Sequence, residues 1–353
     1  MREVSVIGLD LAKQLFQLHG VDAHGRVVLR RRLRRSQMEG FFASLPPCLV
    51  GVESCPGAHH WARVLARLGH RVRIMPAAYV RPYRKRGKND ASDAEAICEA
   101  VQRPNMRFVA VKTPEQQGVL ALHRARALLV RQQVALVNQM RAVLAEQGVV
   151  FGRGRRVALR GVAQLLGEAE AAAALPEAVR VVLRALLEAH TELEARVRAL
   201  EAALQAWHQG CEASRRLATI PGIGPLTATA LVATVGERAA HFRSGRHLSA
   251  WLGLVPGQHS SGERHRLGPI SKRGNRYLRR LLVLGAQALL RQVRRRMAAG
   301  QPSGLPWAER LLRRRPPNVV AVALANKLAR QAWAVLHRGE PWRPQPAAAA
   351  TGI

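Results

Sequence analysis

The sequence predicts an α/β domain followed by an all-α region. Three observations carry that prediction. In the first 112 residues, short β-branched and apolar runs alternate with helical stretches. From Thr113 the apolar residues recur at three- and four-residue spacing over long segments. And a strongly basic chain places its few aspartates at a strand end and at one helix start.

The elements of residues 1–112 follow in a definite order. Val4–Ala12 (VSVIGLDLA) is an apolar, β-branched run with Asp10 near its end. Leu15–Leu33 reads as two strands joined by a turn at Asp22–Gly25. Ser36 followed by Glu39 predicts a capping box, with Ser36 as N-cap of a short helix. Cys48–Ser54 (CLVGVES) is a buried strand, His59–His70 a helix ending at Gly69, and Arg71–Pro76 a further strand. A three-strand meander followed by strand and helix in alternation is the order of a ribonuclease-H-like domain.

Residues 113–210 predict long helices, Pro114–Gly148 and Pro176–His208, that form an antiparallel coiled-coil arm. The basic, Gly-rich segment between them, Gly152–Gly167, reads as a loop that contacts nucleic acid or as a solvated turn. Residues 211–340 form a third, mainly helical domain. The Pro/Ala-rich tail at 341–353 reads as disordered.

Composition bounds the function. The chain has 353 residues, enough for two or three domains, and its 48% hydrophobic content argues against bulk disorder. Fifty-six Lys+Arg against 23 Asp+Glu give a formal charge of +33, which calls for a polyanionic partner. No apolar run approaches the roughly 20 residues that span a bilayer, and Met1–Lys13 lacks the apolar core of a signal peptide. The expected location is the cytoplasm, at the nucleoid, without a membrane partner. Cys48, Cys55, Cys98 and Cys211 form no CxxC pair, which fits a reducing compartment and disfavours a zinc site.

The chain has four aspartates, Asp10, Asp22, Asp90 and Asp93. Asp10 and Glu53 end strands that are neighbours in a ribonuclease-H-like sheet, so their ends can face one another. Asp90 and Asp93 are three apart on one face of a helix start. Four convergent carboxylates repel unless a cation holds them, and Mg²⁺ takes carboxylate oxygens together with substrate phosphate. Two such ions would serve phosphoryl transfer. The alternatives are that Asp90 and Asp93 cap the helix and that Asp10 begins a turn. Glu95 and Glu99 read as solvated. The run before them, with Arg84, Lys85, Arg86 and Lys88, would draw in a phosphate backbone.

Two further stretches carry chemistry. Pro221, Gly222 and Gly224 (IPGIG) between two helical patterns match a helix-hairpin-helix, whose backbone N–H groups bind phosphate without reading sequence; the alternative is a tight turn without a ligand. Gly253–Asn275 (GLVPGQHSSGERHRLGPISKRGN) sets Ser260 and Ser261 among Arg264, Arg266, Lys272 and Arg273. A serine flanked by cations can attack a phosphodiester, although the residues by themselves equally describe a solvated, phosphate-contacting loop. His259 and His265 read as phosphate contacts.

Taken in order, GLDLAK, GVES, KRGKNDASDAEAICEAV, LHRARALLVRQ, IPGIG, LGLVPGQHSSG, ISKRGNRYLRRLL and ANKLARQAW resemble the DEDD-type insertion-sequence transposases of the one-hundred-ten class, with the eleven-eleven branch nearest. The resemblance implies a RuvC-like domain, a coiled coil and a C-terminal transposase domain. It implies a recombinase directed by a structured non-coding bridge (seeker) RNA that pairs with donor and target DNA. The DEDD carboxylates map to Asp10, Glu53, Asp90 and Asp93 and imply two Mg²⁺ ions. The nucleophilic serine maps to Ser261, and implies a covalent link to DNA. A homo-oligomer, dimer to tetramer, with a composite site between subunits is implied as well. The family often reads Glu-Ala-Thr-Gly or Glu-Ala-Cys-Gly after the strand; here ESCPG keeps Glu53 but alters the loop. Two other functions compete: a RuvC-like nuclease or junction resolvase that uses water, and a non-enzymatic basic nucleic-acid-binding protein.

Overall fold

The computed structural model describes residues 3–85, 90–261 and 266–344; the side chain of Asp90 lies outside that description. The chain divides into two compact units, residues 1–113 and 114–353.

In the first unit the described strands are β1 (Val6–Asp10), β2 (Leu15–Val21), β3 (Val27–Arg34), β4 (Leu49–Glu53) and β5 (Arg71–Met75). They form one sheet in the order β3-β2-β1-β4-β5. β1, β2 and β3 are antiparallel neighbours, while β4 runs parallel to β1 and to β5. The predicted hairpin turn is built by Asp22, whose carboxylate accepts from the backbone N–H of His24 and of Arg26, each at 2.9 Å. Helices α1 (Met38–Ala43) and α2 (Ala58–Arg67) cover one face of the sheet. There Phe42, Trp61 and Leu65 bury against Ile7, Leu9, Phe16 and Leu18. A short α3 (Ala77–Val80) leads to α4 (Asp90–Val101), which covers the other face.

The expected cap at Ser36 is not what the chain uses. A 3₁₀ turn at Arg35–Gln37 precedes α1, and the Gln37 side chain accepts from the Arg34 N–H at 2.8 Å. Gln37 thus reaches back to the N–H of Arg34, two residues before the donor that a box built on Ser36 and Glu39 would have served.

The second unit starts with α5 (Pro114–Ala145), α6 (Arg155–Gly167), α7 (Ala169–Ala173) and α8 (Glu177–Gly210). In α8 the buried residues Leu183, His190, Val197 and Leu204 recur every seven positions. Val119 of α5 clusters with Leu204, and Leu144 with Leu183, so α5 and α8 run antiparallel. The segment read as a loop at Gly152–Gly167 is mostly helix: α6 buries Ala158 and Val162 at i,i+4 spacing against α5 and α8.

The remaining elements are α9 (Glu212–Ala218), α10 (Pro225–Val235), α11 (Gly245–Trp251), β6 (Pro256–Gln258), β7 (Leu267–Ile270), α12 (Arg276–Ala298), α13 (Pro306–Leu312) and α14 (Pro317–Arg338). They share one core that includes Leu231, Leu282, Leu324 and Leu328. α14 is long and apolar enough by composition to span a bilayer, contrary to the expectation that no apolar run approaches that length. Half of that apolar stretch is buried, and Ala321, Leu324 and Leu328 belong to the core. Trp342 also packs there, its N–H donating to Thr219 Oγ1 at 2.8 Å, whereas residues 345–353 of the expected tail lie outside the described residues.

A buried polar cluster joins α5 to α10 and α12. His123 Nε2 lies 3.0 Å from Thr229 Oγ1, and its Nδ1 lies 3.0 Å from the Tyr277 hydroxyl. Thr229 also donates to the Pro225 carbonyl at 2.8 Å, which leaves its oxygen to accept from the imidazole. Burial pushes His123 down to about 4, with Arg126 adding to the effect, so the ring is neutral.

Candidate active site

The carboxylates of the first unit are positioned by register. β1 and β4 pair in parallel with Leu9 opposite Val52, so Asp10 and Glu53 occupy adjacent strand ends. Side chains alternate across a strand, and Gly8 and Gly51 identify the face these two share. A Cβ on Gly8 would stand 2.1 Å from the Ala94 carbonyl oxygen and 2.4 Å from the Cys98 nitrogen. A Cβ on Gly51 would stand 2.7 Å from Val101 Cβ. Gly8 and Gly51 are partners in register. Together they form a shallow channel into which α4 settles, with Ala94, Cys98 and Val101 facing it at i, i+4, i+7. Asp10 and Glu53, two residues further along each strand, are on this α4 face.

α4 carries Asp93. Arg84 joins it to the sheet: Nη2 lies 2.8 Å from Glu53 Oε2, and Nε lies 3.0 Å from Asp93 Oδ1. The Glu53 and Asp93 side chains are 19% and 13% exposed, so the pair is largely withdrawn from water and needs the guanidinium's charge. Asp10 makes contacts of its own. Its field is visible at Cys55, whose thiol burial pushes up to about 11, with the negative charges of Asp10 and Glu53 adding to the rise.

Arg84 and Lys85 were expected to meet phosphate. In the structure Arg84 bridges Glu53 and Asp93, and Lys85 Nζ pairs with Glu95 at 2.6 Å. Glu95 is therefore not simply solvated: its hydrogen bond with Lys85 holds the carboxyl below its usual range. Glu99 is exposed, as expected. Arg86 and Lys88 lie outside the described residues.

A divalent metal fits the donor chemistry. Asp10, Glu53 and Asp93 offer hard carboxylate oxygens of the kind Mg²⁺ takes, and the Arg84 bridge marks the spot as one that requires a cation. Among the described residues no three His, Cys, Asp or Glu side chains already form a metal cage.

The second unit carries the serine loop. β6 and β7 pair antiparallel, Pro256 opposite Ile270 and Gln258 opposite Leu267. His259 N–H donates to the Arg266 carbonyl at 2.9 Å, extending the hairpin toward Ser260 and Ser261, which are exposed. Ser260 Oγ accepts from Gln258 Nε2 at 3.1 Å. Arg264 and His265 lie outside the described residues; Arg266, Lys272 and Arg273 are exposed. The hairpin rises from a fixed base. Gly253 and Gly274, with φ of +71° and +76°, let residues 251–254 lie against residues 272–274.

Two residues of that base were missed in the sequence. Arg279 Nη1 donates to the carbonyls of Leu252 at 2.8 Å and Arg273 at 2.9 Å. Asn326 of α14 donates to the Leu254 carbonyl at 3.1 Å. No local signal singled them out: α12 carries many other arginines, and Asn326 has Lys327 and Arg330 beside it. The IPGIG stretch forms the turn between α9 and α10; Gly222 has φ +90°, Gly224 is exposed, and Pro225 opens α10. Asp10, Glu53 and Asp93 belong to the first unit, and Ser261, Gly222 and Gly224 to the second.

Comparison with known proteins finds one family match that spans the first unit and continues through α5, and another within the second unit. Residues 7–148 match a DEDD family model of IS110 type, described as "Transposase", and residues 214–300 match "Transposase IS116/IS110/IS902 family". The chain is 50% identical over 341 residues to a "Probable family 20 transposase" of Pseudomonas aeruginosa, covering 97% of this chain and 99% of the relative. It is 42% identical to the "Transposase for insertion sequence element IS1328" of Yersinia enterocolitica, covering 96% of this chain and 98% of the other. Identity to the "Transposase for insertion sequence element IS1111A" of Coxiella burnetii is also 42%, over 97% and 92% of the two chains. With carboxylates at the ends of β1 and β4 and on α4, and relatives matched along nearly their whole length, this chain belongs to the IS110 family of DEDD-type transposases.

Proposed function

We propose that the chain is an RNA-guided DNA recombinase that moves an insertion sequence by serine-mediated strand exchange. The observation that carries this reading is the register of β1 and β4, which puts Asp10 beside Glu53 on the face where α4 brings Asp93. Asp10, Glu53, Asp90 and Asp93 would hold Mg²⁺, two ions per site. When bound, the metal supplies charge stabilisation to phosphate oxygens as a strand is exchanged.

Ser261 is the nucleophile in this proposal. Its Oγ–P bond forms as one ester P–O bond of the DNA breaks; the serine proton is lost and the departing oxygen takes up a proton. Reversal by another strand's hydroxyl regenerates the serine, so the exchange needs no hydrolysis. The loop's exposure and its fixed base support this role. Arg264, Arg266, Lys272 and Arg273 would meet the phosphates around it. Gly222 and Gly224 would serve as a helix-hairpin-helix phosphate clamp, a reading supported by the positive φ at Gly222 and the exposed Gly224. The seven-residue burial period of α8 supports an antiparallel coiled-coil arm. A charge of +33 supports polyanionic partners; in this proposal they are DNA and a structured guide RNA, bound by a homo-oligomer at the nucleoid.

The test is adduct formation. Protein incubated with its guide RNA, donor DNA and Mg²⁺ is expected to yield a covalent protein–DNA species on a denaturing gel, and Ser261→Ala is expected to abolish it. An undiminished adduct in Ser261→Ala sinks the serine assignment. Strand cleavage that survives Ser261→Ala but is lost in Asp10→Ala points instead to attack by water.

A further inference from the structure

We propose that β3, at the edge of the sheet, presents Arg30, Arg32 and Arg34 as a phosphate ladder that holds nucleic-acid backbone beside the carboxylates. It rests on the reading that those carboxylates act on nucleic acid. The argument is one of register. Asp10 pairs with Gln17, and Gln17 with Arg32; Gly8 pairs with His19, and His19 with Arg30; Leu15 pairs with Arg34. Residues opposite one another share a face of the sheet. Gly8 faces α4, so Arg30, Arg32 and Arg34 all project on the same side as Asp10 and Glu53. Electrostatics agree: Arg30 and Glu95 of α4 both act on His19.

The row Glu53, Asp10, Gln17, Arg32 therefore crosses the sheet to its rim. Arg32 is two strands from Asp10, about 10 Å, and successive rungs of the ladder are about 7 Å apart along the strand. All three arginines are exposed. Among the described residues none of them lies within ion-pair distance of a carboxylate; Arg32 Nε reaches the Gln17 side-chain oxygen at 3.5 Å.

Edge protection is the competing explanation, because charge on an edge strand deters pairing with another chain. It does not account for the difference between the two faces. Arg31 projects to the other side and lies 5.1 Å over the Phe41 ring, and Arg35, just past the strand, lies 5.3 Å over Trp61. Those two cover aromatic surface. Among the described residues Arg30, Arg32 and Arg34 stack on no ring and form no ion pair, although Arg30 acts on Glu95 of α4 at longer range, so their charges are open to a phosphate backbone.

The experiment measures binding of the full chain to labelled duplex DNA, single-stranded DNA and hairpin RNA as salt is varied, in EDTA. It compares the parent, the triple variant R30Q/R32Q/R34Q, its counterpart R30K/R32K/R34K, and R31Q/R35Q. Loss of three phosphate contacts should make the log–log salt slope shallower by about 2.7 on duplex and about 2.1 on a single strand. A fourfold rise in salt should then weaken the parent about 40-fold more than the glutamine triple on duplex. The lysine triple should keep the parent slope, and R31Q/R35Q should leave it nearly unchanged. The probe whose slope falls identifies the backbone held there. An unchanged slope on all three probes in the glutamine triple overturns the proposal, as does an equal loss per charge in R31Q/R35Q. Binding without metal is read independently of the Ser261 adduct, so the ladder and the recombinase reading can fail separately.

Discussion

Gly8→Ala tests whether the seat of α4 on the sheet sets the geometry of the carboxylates. In a strand interior, glycine is the less favourable residue by about 0.5–1 kcal/mol, so propensity alone predicts that alanine stabilises. The structure predicts the opposite sign. The new methyl would stand 2.1 Å from a carbonyl oxygen, 2.4 Å from a backbone nitrogen and 2.7 Å from Cys98 Cβ. Two of these are main-chain atoms of a helix and cannot rotate aside. Restoring ordinary contact requires α4 to retreat by about 1 Å, which weakens the contacts of Ala94, Ile97, Cys98 and Val101 by roughly a quarter to a half. Overpacking of this kind costs about 3 kcal/mol. At about 4 °C per kcal/mol for a unit of this size, its melting transition should fall by about 12 °C. The same retreat moves Asp93 away from Glu53, and a 1 Å misplacement at a reacting site costs on the order of 100-fold in rate. Calorimetry on the full chain, read with the DNA-adduct assay, measures both. Gly51→Ala is the internal comparison: its methyl meets the Val101 side chain at 2.7 Å rather than backbone, so its penalty should be smaller. A Gly8→Ala protein that melts at or above the parent and keeps full activity would refute the reasoning.

Other outcomes follow from the same contacts. His123 has its folded value lowered from 6.5 to about 4, so its contribution to stability is fully present above pH 6.5 and is lost as pH falls toward 4; about 3 kcal/mol is at stake, and His123→Gln should flatten that part of the pH–stability curve measured by urea unfolding. Arg279→Met removes the bonds to the Leu252 and Arg273 carbonyls and should cost about 1.5–3 kcal/mol in urea unfolding, with adduct formation falling further than stability explains. Arg84→Gln leaves Glu53 and Asp93 without their shared counter-charge; Mg²⁺ should then raise its melting temperature more than it raises the parent's, as followed by thermal shift.

The strands of the first unit were legible because β-branched alternation and a turn built on Asp22 are local signals. The order of those strands also identified which carboxylates end up as neighbours. What was not legible depends on contacts between distant residues. Gly152–Gly167 looked like a loop because Gly and Arg stand out in it, yet Ala158 and Val162, with Leu159, Leu165 and Leu166 packed beside them, seat α6 on α5 and α8. Ser36 looked like a cap because the pattern Ser-x-x-Glu was present, but the 3₁₀ turn starts earlier and Gln37 reaches back to the Arg34 N–H instead. The channel of Gly8 and Gly51 could have been inferred only by setting β1 beside β4 in register. Arg279 and Asn326 sat inside recognisable motifs, but their targets are carbonyls up to 72 positions away.

The basic run beside the acidic helix has its reason in Arg84. One guanidinium reaches two carboxylates from different elements with two different nitrogens, Nη2 to Glu53 on β4 and Nε to Asp93 on α4. Lysine has a single ammonium on a flexible stem and does not reproduce that fork. The bridge costs the site a degree of readiness, since a cation already sits between two of its acids. In exchange it keeps two largely buried carboxylates close together, and thereby holds the first turn of α4 near the ends of the strands. Without such a device their mutual repulsion would work against the seating of α4 that Gly8 and Gly51 permit. The scarcity of acidic residues in this chain sharpens the point: with 56 Lys and Arg available, the charge that matters most for the site is the one held between two of its 23 acids.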